Sequence, residues 1–289
     1  MQLRNIATLI AGMAASLGLI SITGQQANAG TLYQNWNYSI DAFNDGSGGS
    51  AYDIKGMAVK ETSDSIFVAL TGGMPLTGTY ASAAADKNIG WGDLFFNFTG
   101  NNFKTASDAK SLFGIRFAGA NDSNASSTGV YKNVQAASVT GINNGYSSLQ
   151  QYNDAGWYQP NTLGTDLPTK ADGYRYFGQG SVLNVIGSGT KVGDITMLTA
   201  GALTTAGLDF AHFAASGTET IGFQFSKSLL GSGDYLAHVF VECANDGVAL
   251  AGELKDVPEP TGLGGLAVVG LVVGGSRLSK RRRVRVSVN

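Results

Sequence analysis

The sequence predicts an all-β body over residues 30–252, a jelly-roll-like antiparallel β-sandwich with long loops. Three observations carry this. Short segments rich in aromatic and β-branched residues recur through the middle of the chain, separated by clusters of Gly, Asn, Asp and Ser. Glycine reaches 41 of 289 residues, about twice the usual ~7%, a texture that suits turns and bulges better than helices. No internal period of about 20 to 50 residues emerges, so a solenoid or propeller is not supported.

The elements follow in chain order. Residues 33–43 alternate loosely and end at the turn Asn44-Asp45-Gly46-Ser47-Gly48-Gly49. Residues 52–60 and 65–70 read as a strand pair across Glu61-Thr62-Ser63-Asp64, and residues 71–88 as loop. In Leu94-Phe95-Phe96-Asn97-Phe98 the period of two puts Leu94, Phe96 and Phe98 on one face. In the strand at 112–117, Phe113, Ile115 and Phe117 share a face opposite Arg116. Both stripes are expected in the core. A polar loop at 119–129 precedes a strand at 130–139. Residues 141–180 show little pattern but hold Tyr146, Tyr152, Trp157, Tyr158, Tyr174, Tyr176 and Phe177, and so long a loop in a compact domain is often functional. Residues 182–186 and 191–198 read as a hairpin around Gly187-Ser188-Gly189, and 200–208 as the best helix candidate. Residues 221–225 and 235–243 are expected to pair as strands, before a linker at 253–260.

Both ends carry export signals. Arg4, the apolar run 6–22 and Ala27-Asn28-Ala29 before Gly30 have the layout of a signal peptide over 1–29, cut by signal peptidase after Ala29. At the other end Val257-Pro258-Glu259-Pro260 precedes an uncharged apolar run, 261–276, and a basic tail, 277–289, containing Arg277, Lys280, Arg281, Arg282 and Arg283. Two prolines hold the approach extended. As a helix the run would span about 24 Å at ~1.5 Å per residue, slightly short of a ~30 Å hydrocarbon core, a gap that arginine snorkelling or local thinning can close. The basic cluster is expected to stay cytoplasmic, leaving the body outside.

This order of motif, short glycine-rich membrane segment and arginine cluster resembles the PEP-CTERM sorting signal of bacterial exosortase substrates. The resemblance covers about the last thirty residues. It implies a protein that is exported, held transiently in the inner membrane, then cut near the motif by an exosortase and passed to the cell surface or medium. A plain uncut anchor is the alternative, and the extension Val284-Arg285-Val286-Ser287-Val288-Asn289 departs from the pattern. In the body, Ile40-Asp41-Ala42-Phe43-Asn44-Asp45, Trp91-Gly92-Asp93-Leu94-Phe95-Phe96-Asn97-Phe98 and Glu242-Cys243-Ala244-Asn245-Asp246-Gly247 look similar to cyanobacterial exosortase-dependent surface proteins. That likeness implies a non-enzymatic surface or matrix role and supplies no catalytic residues.

Charge and chemistry narrow the body further. Between residues 30 and 256 there are 12 basic and 20 acidic residues, a net charge of −8, which argues against nucleic-acid binding and suits solubility or cation capture. Cys243 is the single cysteine. It excludes an intramolecular disulfide and reads as a small buried residue on a strand; a catalytic thiol would have only His212 or His238 as its base. Zinc is not expected from two histidines and one cysteine without ligand spacing. Asp41, Asp45 and Asp53 surround a glycine-rich turn and offer the hard oxygen ligands that calcium takes, although their spacing is not that of the EF-hand loop. The alternative there is a turn capped by its own Asp and Asn side chains, and Asn121-Asp122 and Asn245-Asp246-Gly247 have the same two readings. No other cofactor is expected. Neither Gly-x-Ser-x-Gly nor His-Glu-x-x-His occurs, and no phosphate-binding glycine loop is present; a carboxylate pair meeting only in space stays open. The strongest functional alternative to a plain surface protein is an exopolysaccharide-binding or, less favoured, polysaccharide-modifying module, with Trp91, Trp157, Tyr158 and Tyr174 as sugar-stacking candidates.

Overall fold

A computed structural model describes residues 30–159 and 165–256. The signal peptide with Ala27 and Ala29, the motif Val257, Pro258, Glu259 and Pro260, the apolar run 261–276 and the tail with Arg281, Arg282 and Arg283 lie outside the described residues. Among those described, no helix is long and apolar enough to cross a membrane.

Two six-stranded antiparallel sheets pack face to face. The first begins as a meander of β1 (Thr31–Tyr33), β2 (Trp36–Ile40), β3 (Ile54–Glu61) and β4 (Ser65–Gly72). Gln34 and Asn35, at φ 49° and 64°, both lie in the left-handed region. They form the two-residue turn whose twist matches a tight hairpin and bring Tyr33 opposite Trp36. The segment read as one strand from residue 33 is therefore a hairpin arm, a turn and a second strand.

After a small two-stranded ribbon of β5 (Thr79–Tyr80) and β6 (Asn88–Ile89), the second sheet forms its own meander from β7 (Leu94–Asn97), β8 (Leu112–Arg116), β9 (Gly129–Ala137) and β10 (Val185–Gly193). The chain then returns to the first sheet with β11 (Thr196–Leu198) and β12 (Glu219–Ser226), β12 lying against β4 from Glu219 opposite Gly72 to Ser226 opposite Ser65. It finishes in the second sheet with β13 (Gly233–Phe240) against β7, and β14 (Gly247–Leu254) at the edge. Each sheet is thus a four-stranded meander extended by a hairpin. The two-sheet, all-β expectation holds. Jelly-roll connectivity would divide successive strands between the sheets, whereas here they stay together through each meander.

Two strand expectations are corrected. Residues 182–198 are not a hairpin: β10 runs continuously through Gly187-Ser188-Gly189 along β9, with register shifts at Ile186/Ser188 and Ser188/Thr190. The glycines serve close approach, since a Cβ on Gly187 would sit 2.9 Å from the Ala137 side chain. Nor do β12 and β13 pair, because they belong to opposite sheets. Their apolar faces meet across the sandwich instead, where Phe223 of β12 stacks on Phe117, at 5.2 Å between centroids, in a core that also holds Phe96 and Val239. β14 continues through Leu254, which is buried, so the body reaches two residues beyond 252.

Much of each sheet's outer face is covered as well. On the second sheet α1 (Phe103–Asp108) and α3 (Lys170–Phe177) bury Phe95, Ile186 and Tyr176. On the first, α4 (Ala200–Thr205) and the 3-10 turn Phe210–Phe213 cover Trp36, Tyr38 and Ala69. Strands buried on both faces have no polar side to alternate with, which is why Phe95 and Phe96 are adjacent and both fully buried. Each short helix starts where an oxygen-bearing side chain caps it: Asn102 accepts from Thr105 N, Thr169 from Asp172 N and Thr199 from Ala202 N. The stretch 141–180 is therefore not one loop. It contains α3 and α2 (Leu149–Asp154), the latter capped by Ser148.

Candidate functional site

At one end of the sandwich the turn after β2 meets the turn before β14. Two hydrogen bonds zip them together: Ser47 N donates to the Asn245 carbonyl at 2.9 Å, and Asn245 Nδ2 donates to the Ser47 carbonyl at 2.5 Å. The first turn folds tightly on itself, with glycine required at position 46, where a Cβ would lie 2.5 Å from Asp53 Cα, and Gly48 faces the second turn, where a Cβ would lie 3.2 Å from Asn245 Nδ2.

Four aspartates stand at this junction, and their surroundings separate them. Asp53 Oδ1 accepts from Asn44 N at 3.0 Å, capping the turn. Asp246 Oδ2 accepts from Ile54 N at 2.7 Å and Oδ1 from Gly247 N at 2.7 Å, tying the end of the second sheet to the start of β3. Asp41 Oδ1 accepts from Ala42 N at 2.9 Å. Asp41 Oδ2 and Asp45 Oδ1 are buried without any hydrogen-bond partner. Asp41, Asp45 and Asp246, each at most 7% exposed, present carboxylate oxygens that all lie within 4.8 Å of one another.

The electrostatics follow from that packing. Burial first, then the neighbouring Asp45, raises Asp41 well above the usual carboxylate range. Burial, then Asp41 and Asp45, does the same to Asp246. Burial pushes Asp45 up to about 7. None of the four ion pairs found among the described residues involves these three acids.

The three carboxylates line a cavity of about 100 Å³ whose other walls include Tyr152, Tyr158, Lys170 and Phe177. Tyr152 Oη donates to the Asp45 carbonyl at 2.7 Å. Lys170 Nζ sits 5.0 Å from the centre of the Tyr158 ring, and Tyr158 Oη donates to the Pro168 carbonyl at 3.3 Å. Of the four aromatic residues singled out from sequence, only Tyr158 reaches this cavity. Trp91 cannot be a sugar platform, because it is 0% exposed, donates from Nε1 to the Met74 carbonyl at 3.1 Å and packs on Phe117. Trp157 and Tyr174 are half-buried elsewhere on the helical stretch.

The predicted cation set Asp41, Asp45 and Asp53 is brought together in part. Asp53 is occupied as a cap, and the third place belongs to Asp246, distant in sequence but marked by its Asn-Asp-Gly turn. Tyr152, which holds the Asp45 backbone, carried no sequence signal beyond being aromatic. Cys243 is buried, and burial pushes its thiol up to about 12, the opposite of what a thiolate nucleophile needs. His238 is fully enclosed by Phe95, Phe103, Tyr176 and Phe177, and burial lowers it to about 3. His212 stacks on Tyr33 at 3.8 Å.

Comparison of the chain with protein-family models, with curated proteins and with solved structures gave no match.

Proposed function

We propose that this is a non-enzymatic exported protein of the cell surface or extracellular matrix, anchored briefly in the inner membrane and released by exosortase cleavage. The observation that carries this reading is the pair of terminal signals around one body of net charge −8: Ala27-Asn28-Ala29 at one end, Val257-Pro258-Glu259-Pro260 with Arg281-Arg282-Arg283 at the other. Signal peptidase and an exosortase are then its processing partners. Intact-mass measurement of the secreted product tests the proposal. The expected chain begins at Gly30 and ends near the Pro-Glu-Pro motif; a secreted chain still containing Leu266 and Arg281 would sink it.

Tyr158 favours a second reading, a module that binds exopolysaccharide. A tyrosine ring on the wall of a cavity that also presents Lys170 and carboxylates offers the mix of stacking face and hydrogen-bonding groups that sugars take. Glycan-array binding that disappears in Tyr158→Ala and persists in Trp157→Ala would support it, and no binding to any glycan would remove it.

A further inference from the structure

Three acids at the sandwich end have an arrangement that hydrogen bonding alone does not account for. A buried carboxylate is ordinarily held by donors; here Asp41 Oδ2 and Asp45 Oδ1 have none, although both residues are more than nine-tenths buried. One carboxylate oxygen from each of Asp41, Asp45 and Asp246 lies within 4.8 Å of the other two, and the hydrogen-bonding side chain beside Asp41 is itself an acid, Asp246, which can donate only while one of the two holds a proton. Ligand oxygens around one calcium ion stand about 2.4 Å from the metal, so any two of them are at most about 4.8 Å apart. With every pair inside that limit, an ion central to the three oxygens would stand at most about 2.8 Å from each, and a small inward rotation of the side chains brings it into calcium's range of ~2.3–2.6 Å. Calcium also takes additional oxygen ligands, commonly water. The adjoining cavity of about 100 Å³ has room for a few waters at about 30 Å³ each.

We propose that Asp41, Asp45 and Asp246 bind one calcium ion that clamps the turn after β2, in the first sheet, to the turn before β14, in the second. The clamp lies where the two sheets are already joined by Ser47 with Asn245 and by Ile54 with Asp246. Two ligands come from one sheet's turn and the third from the other's, so the ion contributes to cohesion between sheets that no single strand ladder provides. Asp53 supports the clamp through Asn44 rather than by ligation. The clamp rests on the geometry of the body alone and stands or falls separately from the sorting proposal.

The full chain, purified in detergent and stripped with EDTA, tests the proposal by calorimetric titration with calcium chloride and by thermal melting. One calcium per chain is expected, with a rise in Tm of about 5 °C or more at saturation. Asp45→Asn is the first variant, since that carboxylate caps no other element, and Asp41→Asn the second. Both are expected to keep the wild-type circular dichroism and a Tm in EDTA at or above wild type, because a like charge has been removed, and to lose the calcium response. Asp194→Asn, at an exposed surface acid, should keep it. Absence of calcium heat and of a Tm shift in the unaltered chain would overturn the proposal, as would a calcium response that survives in both Asp45→Asn and Asp41→Asn.

Discussion

Asp93 and Asp41 are both buried aspartates at the mouth of a sheet, and they have opposite surroundings. Asp93 accepts from Asn121 Nδ2 at 2.8 Å, from Ser123 Oγ at 2.6 Å and from Ile186 N at 2.6 Å, so both of its oxygens are used. Asp41 accepts one backbone hydrogen bond, from its own neighbour Ala42, and its only side-chain hydrogen-bonding neighbour is another acid, Asp246. Desolvation raises both. For Asp93 three donors and the nearby Arg116 oppose that rise; for Asp41 the next influence, Asp45, adds to it. The contrast separates a carboxylate that organises a loop from one that is arranged for a ligand. Glu242 belongs with Asp93: its two oxygens accept from Gly90 N at 2.6 Å and Asp122 N at 2.5 Å, pinning two loops beside the β-bridge of Trp91 and Val241.

The largest expected effect breaks the organising site. Asp93→Ala leaves three donors without an acceptor and should cost about 3 kcal/mol or more of unfolding free energy in urea, with calcium or without. A loss under about 1 kcal/mol would erase the distinction drawn between the two aspartates. Next comes the ligand site. Saturating calcium should add about 2 to 3 kcal/mol to the wild type and nothing to Asp45→Asn, read from the same urea midpoints.

The comparison also has a pH signature. Burial raises Glu242 to about 7 and Asp166, which accepts from Ala251 N, to about 7. A raised folded value means the folded state holds its proton more tightly than the unfolded one. The contribution is fully present below the ordinary carboxylate value near ~4 and is lost as pH rises through about 7. In EDTA, stability should therefore fall between those limits, by on the order of 3 kcal/mol for Glu242. Glu242→Gln should flatten that fall, and urea midpoints across the pH range check it. The smallest effect concerns His238, whose two ring nitrogens are buried without partners. Unlike the aspartates it is neutral and surrounded by aromatic rings, with no ligand chemistry facing it. His238→Phe should stabilise the protein by about 1 kcal/mol in urea unfolding, since no hydrogen bond is lost and a polar burial penalty is removed.

What could be read from sequence depended on how local the cause was. β3, β4, β7, β8 and β12 were legible because period-two patterning and flanking turn residues act over a few positions. β10 was misread because Gly187 and Gly189 signal a turn and a bulge alike, and only the neighbouring Ala137 distinguishes them. The partners of β12 and β13 were not legible, since strands that pair and strands that face each other across one core carry the same sequence pattern. Trp91 was a candidate only as an aromatic residue, and its burial follows from tertiary packing that no local pattern marks, its neighbour Gly92 lying close enough for its N to donate to the Phe240 carbonyl at 2.8 Å. At the candidate site Asp41 and Asp45 were marked by their turn. Asp246 was marked by its own Asn-Asp-Gly turn, but its place beside Asp41 and Asp45 comes only from tertiary structure, which carries the second sheet's turn across to theirs.

Terbium luminescence addresses the clamp most directly, because it reports an ion next to an aromatic ring and does not depend on stability. Tyr152, hydrogen-bonded to the Asp45 carbonyl, is placed to sensitise an ion held by Asp41, Asp45 and Asp246. Exciting the tyrosines of the full chain should give saturable terbium emission that calcium displaces, that Asp45→Asn abolishes and that Glu242→Gln leaves in place. Emission that is absent, or unchanged by Asp45→Asn, would contradict the assignment of these three aspartates to a cation.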